Sequence, residues 1–355
     1  MQYRQLGRSG LRVSTVTFGT MSFGGKGVFA DVGTTGVAGA RELVDIALDA
    51  GVNLLDTSNV YSHGLSEEIL GEVLESGGRR DRTLIATKVR MGMGDRPNDA
   101  GLSRQHIIAQ AEASLRRLRT DHIDLYQVHN WDGQTPLEET LNALDTLVRD
   151  GKVRYIGASN YAGWQLSKAL GVSERHGYQR FVSQQIHYTL QAREAEYELA
   201  PIAVDSGVGI LSWSPLAGGL LSGKYRRGVQ PSGQARHLTD WDEPPVRDED
   251  KLYDIIDTLV EIGDARDVSA AQIALAWLIG RPGVSSVVVG ARKKEQLLDN
   301  IAAADVELTD QERTRLDAVS APDVLYPYWH HVKSANDRLS DADIVPNDII
   351  RAAQS

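Results

Sequence analysis

The sequence predicts an α/β fold, a closed (β/α)8 TIM barrel, on three observations. Short apolar runs rich in Val, Ile and Thr recur eight times along its 355 residues, and a helical pattern follows each. The runs are continuous rather than alternating, as strands buried on both faces of a parallel sheet must be. Eight strand–helix units close on themselves rather than stay open; a doubly wound open sheet is the runner-up. One domain over residues 1–355 is expected, with an N-terminal β-hairpin, a long loop after the seventh strand and a C-terminal tail.

The elements follow in order. YRQLG and LRVS flank the turn signal Arg8-Ser9-Gly10 and form the hairpin. The eight runs are Thr15–Phe18, Val52–Asp56, Thr83–Lys88, Ile123–His129, Val153–Ser159, Phe181–Gln185, Val208–Trp213 and Ser285–Gly290. Between them, Leu43, Ile46, Ala47 and Ala50 share one helical face and Gly51 ends it. Ser103 is placed to cap a helix carrying Ile107, Ala111, Leu115 and Leu118 inward. Thr135-Pro136-Leu137-Glu138 reads as a capping box with proline in the first turn, followed by Leu137, Leu141, Leu144, Val148 and Gly151. Ser269 and Gln272 read as a second box before Ile273, Ala276 and Trp277. Two stretches fall outside the barrel pattern: about Leu221 to Asp250, and the tail after Ala321.

Composition removes several function classes. With no cysteine there is no thiolate nucleophile, Cys-zinc site or iron–sulfur cluster. A net charge of -10 argues against nonspecific nucleic-acid binding. The N-terminal MQYRQLGRSGLRVS has no apolar core of a signal peptide, and no run reaches the roughly 18 apolar residues of a membrane span. A cytoplasmic protein with no nucleic-acid or membrane partner is expected, and a homo-oligomer is compatible with it.

In such a barrel, chemistry sits at the C-terminal ends of the strands. There the sequence places Asp56, Lys88, His129, Ser159-Asn160, Gln184-Gln185, Trp213 and Gly290, with Tyr61 just beyond the second strand. Alone, Asp56 could be a turn former, Lys88 a snorkelling lysine, His129 a structural histidine and Tyr61 a loop aromatic. Barrel closure brings the four together as a proton-transfer site. A phenol titrates at about 10, and a lysine ammonium beside it is expected to lower that value. A buried lysine needs a carboxylate partner, which Asp56 supplies; His129 can orient a substrate oxygen.

At this point the sequence resembles the aldo-keto reductase superfamily. The motifs are DTSNVYSHGLSEEILGEVL (Asp56–Leu74), ATK (Ala86–Lys88), DLYQVHNWD (Asp124–Asp132), VRYIGASNY (Val153–Tyr161), LSWSPLAGGLLSGKY (Leu211–Tyr225) and VVVGARKKEQLLDN (Val287–Asn300). The opening Tyr3–Gly24 also fits, and the likeness spans roughly residues 3–320. It is similar to the branch of aryl-alcohol-dehydrogenase-like reductases and potassium-channel β subunits. The resemblance implies that Tyr61 is the general acid or base, that Lys88 lowers its pKa, that Asp56 holds Lys88 and that His129 positions a carbonyl. It implies NADPH/NADP+ as cofactor, with NADH as the alternative. Gly19, Thr20, Met21 and Asp56 would border it; Ser159, Asn160 and Gln185 would hold the carboxamide and Trp213 would stack on the nicotinamide. Ser214, Pro215, Leu216, Gly218 and Lys224 would lie near the pyrophosphate. Gly290, Ala291 and Arg292 would meet the 2′-phosphate, and Gln296 and Asn300 the adenine. Independently, Arg292, Lys293 and Lys294 cluster at the start of what reads as the last helix, where an anion is favoured. Gln296 stands where some branches carry arginine. Phe23, Val60, Trp131 and, from the aromatic tail Pro322–His331, Trp329 would contact the substrate, a small carbonyl or alcohol compound.

Other signals fail. GGLLSGK (Gly218–Lys224) has P-loop spacing, but Tyr225 stands where the magnesium-binding Ser or Thr belongs. No GxGxxG is present. His330-His331 lacks zinc-site spacing and reads as loop, so no metal is expected. The expected activity is hydride exchange between NADPH and an aldehyde or ketone. The alternatives are an NADPH-binding redox sensor that regulates a partner with little turnover, and a Schiff-base aldolase using Lys88, which Asp56 would oppose by keeping the amine protonated.

Overall fold

The structure is a computed structural model that describes residues 1–228 and 245–354. The eight predicted runs close into one parallel barrel, and the predicted hairpin lies outside it as a two-stranded sheet. In chain order these are β1 (Tyr3–Gln5) and β2 (Arg12–Ser14), which pair antiparallel, then β3 (Val16–Gly19), α1 (Val37–Asp49), β4 (Leu54–Asp56), α2 (Leu65–Leu74), β5 (Leu84–Val89) and α3 (Arg104–Leu118). There follow β6 (Ile123–Val128), α4 (Leu137–Arg149), β7 (Val153–Ser159), α5 (Gly163–His176), β8 (Phe181–His187), α6 (Leu199–Ser206) and β9 (Gly209–Trp213). The chain continues through α7 (Glu249–Arg266), α8 (Ala270–Ile279), β10 (Val284–Val289), α9 (Lys294–Ala302), α10 (Asp310–Val319), α11 (Tyr328–Ser334) and α12 (Ile344–Gln354). The ring reads β10-β3-β4-β5-β6-β7-β8-β9.

Alternation along the strands sorts the barrel interior into layers. Leu54, Ala86, Leu125 and Leu211 form a buried apolar floor with Leu6 and Val13 of the hairpin. Arg4 fastens the hairpin there, its guanidinium donating to the carbonyls of Ile279 (2.6 Å) and Val284 (2.9 Å). Two residues further along the same strands, on the same face, stand Asp56, Lys88 and Gln127. One end of the barrel is thus plugged, and the polar layer faces the other.

The inward faces predicted for the first helices are buried or, at Ile46, Ala50, Leu115 and Val148, partly buried against the core, and Gly51 (φ 88°) and Gly151 (φ 72°) follow the turns that end their helices. Ser103 caps α3 by accepting from the His106 N–H (3.3 Å). Two capping boxes do not form. Thr135 instead donates to Asp132 (2.7 Å), and α4 starts after Pro136, one residue later than a Thr135 cap requires, without a side-chain cap. Ser269 does cap α8, but the Gln272 amide turns away to Asp299 (2.7 Å). His330 and His331, read as loop, lie in α11. Of the expected long loop, residues 229–244 lie outside the described residues.

The tail packs on the flank that follows β8. Tyr328 donates to the Tyr197 carbonyl (2.5 Å) and Tyr197 to that of Asp323 (2.5 Å). Asp348 of α12 bonds Arg281 (2.7 Å) and Arg193 (3.2 Å), two buried guanidiniums that also share Glu196. Asp348→Asn is expected to cost about 2 kcal/mol, the loss of a charged hydrogen-bonded partner. Urea unfolding checks this, and an unchanged midpoint would mean the tail is held otherwise.

Candidate active site

Lys88 is fully buried, and its ammonium donates to Asp56 Oδ1 (2.5 Å) and to the Thr57 carbonyl (2.9 Å). The other carboxylate oxygen of Asp56 accepts from the amides of Gln185 (2.9 Å) and Gln127 (3.2 Å). A buried cation is tolerated here because its counter-ion is itself held on both oxygens. Lys88 Nζ also reaches the Tyr61 hydroxyl (3.5 Å) and lies 5.1 Å from the centre of its ring.

Tyr61 opens a one-turn 3-10 helix, Tyr61–Gly64, in which Ser62 (φ 51°) and His63 (φ 53°) take left-handed backbone. The loop after β3 clamps that turn. Ser62 donates to the Phe23 carbonyl (3.2 Å) and accepts from the Gly25 N–H (2.9 Å). Gly24, at φ 105°, has no room for a side chain: a Cβ would stand 2.8 Å from Ser62. Below, the fully buried Glu67 of α2 accepts from Thr87 of β5 (2.5 Å) and from Arg117 of α3 (2.7 Å). The helix after Tyr61 is thereby locked to the strand that carries Lys88. His129 follows β6; its Nδ1 bonds Ser58 (3.1 Å), and its ring meets the Tyr61 ring edge-on at 5.9 Å.

Electrostatics fix the protonation states. Burial alone would pull the Lys88 ammonium down, but Asp56 and Tyr61 hold it above its ordinary value. His129 is pushed well below its usual range by burial, then by Lys88 and Arg90, so the imidazole is neutral. Tyr61 departs from the sequence-based expectation of a lowered pKa: its phenol is raised. Desolvation in the mouth is the largest effect, and together with the Asp56 charge it outweighs the pull of Lys88. At neutral pH the site holds a protonated phenol, a charged lysine and a neutral histidine.

The residues expected on the cofactor side line the strand ends from β7 round to β3. Thr20, beyond Gly19 of β3, donates twice to the Asp56 carbonyl, from N (2.8 Å) and Oγ1 (3.2 Å), and Met21 beside it is partly buried. Ser159 is buried at the end of β7, and among the described residues its Oγ has no hydrogen-bond partner. Asn160 has both ends engaged, donating to the His129 carbonyl (3.0 Å) and accepting from Trp213 Nε1 (2.9 Å). Gln185 spends its amide N–H on Asp56. Beyond Trp213, Ser214 (φ 48°), Ala217 (φ 50°), Gly218 (φ 66°) and Gly219 (φ 99°) wind the backbone past Pro215 and Leu216 into a tight turn. Ser214 Oγ accepts from the Gly218 N–H (3.0 Å), and Lys224 lies over the Tyr225 ring. After β10 come Gly290 and Ala291, whose carbonyl accepts from Ser22 (3.2 Å). Arg292 then donates its backbone N–H to Gln296 (3.2 Å), and Asn300 is buried further along α9. The Arg292-Lys293-Lys294 cluster does precede a helix, α9, but not the last one: α10, α11 and α12 follow.

The substrate side needs one correction. Phe23 has no exposed surface, because it packs edge-on against Phe18 in the core. Trp329 is half exposed; its ring contacts are with Tyr326 and His330 of its own tail, which Tyr328 ties to Tyr197 in the loop after β8. Val60 and Trp131 stay partly exposed, and Trp131 meets Tyr161 and Trp164 edge-on. Four neighbours went unread in the sequence. Phe29 stands edge-on to Tyr61 at 5.5 Å, Gln127 holds Asp56, His187 lies against the Trp213 ring at 4.7 Å, and Arg90 flanks His129. Gln127 and Arg90 share strand parity with readable site positions; Phe29, in an irregular glycine-rich loop, gave no periodic signal.

Comparison with known proteins agrees with this geometry. The chain matches the Aldo/keto reductase family over residues 15–321. It is 41% identical over 326 residues to the uncharacterized oxidoreductase YrpG of Bacillus subtilis (strain 168), covering 89% of this chain and 94% of that protein. It is 37% identical to a probable voltage-gated potassium channel subunit beta of Arabidopsis thaliana (86% and 92% covered). It is 35% identical to the versiconal hemiacetal acetate reductase of Aspergillus parasiticus (92% and 99%).

Proposed function

The chain belongs to the aldo/keto reductase family, and from that premise we propose that it is an NADPH-dependent oxidoreductase interconverting an aldehyde or ketone with its alcohol. The single observation that carries this reading is the buried Asp56–Lys88 pair beneath a protonated Tyr61, with neutral His129 beside it. When bound, NADPH would supply the hydride that the carbonyl carbon takes up. Tyr61 Oη delivers the proton to the carbonyl oxygen, so that C=O becomes CH–OH; in the reverse direction the phenolate takes the proton back. Lys88 stabilises the phenolate as it forms, and Asp56 keeps Lys88 charged. His129, neutral, orients the carbonyl oxygen with a ring N–H. The buried, unpartnered Ser159 hydroxyl fits an amide such as the carboxamide of nicotinamide, since a buried polar group needs a partner. The Ser214–Gly219 turn and the basic start of α9 fit phosphate groups. A reducing compartment, the cytoplasm, suits the absence of cysteine.

Fluorescence titration with NADPH and NADH, followed by absorbance assays of NADPH consumption with neutral and acidic aldehydes and ketones, tests the reading. Nucleotide binding with turnover supports it; no nucleotide binding removes it. The likeness to potassium channel β subunits favours a second reading, a nicotinamide-binding regulatory subunit, which tight binding with no turnover would support. Arg292→Ala is expected to weaken NADPH by roughly tenfold or more through the 2′-phosphate, with NADH little changed. Equal losses for both nucleotides would overturn that assignment.

A further inference from the structure

Among the described residues, a further charged side chain at the mouth is used by neither the proton-transfer group nor the cofactor side. Arg90 follows β5, two residues beyond Lys88. Register sets it beside His129: Lys88 pairs with Gln127 and Val89 with Val128, and the His129 N–H donates to the Val89 carbonyl (2.8 Å).

Three features distinguish it. Among the described residues its buried Nε has no hydrogen-bond partner, and the contact of its Nη1 is with the Met91 sulfur at 3.9 Å. Among the described residues no carboxylate pairs with it. Two carboxylates of the loops after β5 and β6 are engaged otherwise: Asp99 by Arg96 (3.1 Å), and Asp132 by the Leu102 N–H (2.8 Å), the Gln134 N–H (2.9 Å) and Thr135. Its backbone is held at φ 147°, a strained conformation for a non-glycine residue, by the Gly101 N–H on its carbonyl (2.8 Å). The fold therefore keeps an uncompensated guanidinium at the mouth at a cost to the free protein. In a chain of net charge -10 this is no by-product of a basic surface.

Its position separates it from the phosphate-fitting segments. Those follow β9 and β10, whereas β5 lies four strands from β9 in either direction round the ring. A group bound at Arg90 belongs to whatever occupies the Tyr61–His129 side.

We propose that Arg90 anchors an oxyanion carried by the substrate, a carboxylate or a phosphate ester, so that the site selects acidic aldehydes or ketones over neutral ones. This rests on the reductase reading of the same site. A planar guanidinium matches either oxyanion with two parallel N–H donors, and its buried Nε would gain the acceptor it lacks. Its charge already helps keep His129 neutral; a docked oxyanion would offset it.

The test is calorimetric titration, with and without NADP+, using benzoate, phenyl phosphate and the neutral analogue benzamide. One or both anions should bind roughly ten- to hundredfold more tightly than benzamide, and the better of the two identifies the oxyanion. Arg90→Met should abolish the preference and Arg90→Lys retain part of it, with NADPH affinity unchanged in both. A parallel assay compares kcat/KM for para-carboxybenzaldehyde and its methyl ester. Anions binding no better than benzamide, or a preference that survives Arg90→Met in folded protein, would overturn the proposal. Turnover of benzaldehyde without anion preference removes Arg90's role alone. Anion preference without turnover of any carbonyl keeps that role and removes the reductase reading.

Discussion

Tyr61→Phe should lower carbonyl reduction by about 10²–10⁴-fold, the usual contribution of a placed proton donor, while NADPH affinity stays nearly constant. The substitution removes one oxygen and keeps the ring that packs edge-on against Phe29 and His129, so the mouth is preserved. Stopped-flow measurement of hydride transfer, beside a nucleotide titration, separates the two effects; a near-native rate would sink the proton-donor role. The pH profile follows from the raised phenol. Reduction needs the protonated form and should hold through neutral pH into the alkaline range. Alcohol oxidation needs the phenolate and should rise toward alkaline pH. Were a lowered Tyr61 to govern instead, reduction would already decline near neutrality.

Lys88→Met should be the most destabilising single change at the site, by about 3–5 kcal/mol, because it strands Asp56 as a buried charge. Asp56→Asn together with Lys88→Met should recover most of that loss without restoring activity. Urea unfolding of the single and double variants checks this, and equal stabilities would show that the pair is not coupled. The sign of the pH dependence is set by the raised Lys88. Its folded value exceeds the unfolded one, so its stabilisation is complete below the unfolded pKa of about 10.4 and disappears as pH climbs through the folded value. His129 acts at the other end. Its depressed folded value means that stability falls as pH drops below about 6.5 and the unfolded chain takes up the proton.

How much of this was legible in the sequence depended on periodicity. The barrel strands were readable because double-sided burial writes continuous apolar runs, and the hairpin because a turn signal separates its arms. Asp56, Tyr61, Lys88 and His129 were readable because polar residues ending apolar runs are conspicuous. What depended on competition between groups was not. Thr135 looked like a cap, but α4 begins one residue later, after Pro136. Gln185 and Asn160 were expected to hold a carboxamide, and spacing did not show that Asp56, Trp213 and His129 also engage them. The direction of the Tyr61 shift needed the depth of its burial, which spacing alone does not carry.

The barrel's plugged end sets a schedule for its synthesis. Arg4 closes the floor by bonding carbonyls 275 and 280 residues further along the chain, and β3 finds its second neighbour only when β10 arrives. A chain growing from its N-terminus therefore leaves the ribosome with a half-made cylinder, its first strand bare along one edge until almost the whole barrel has emerged. Unpaired parallel edges of this kind associate with one another. The nascent protein is thus most exposed to aggregation late in translation, in the interval before β10 docks, and chaperones would be needed then.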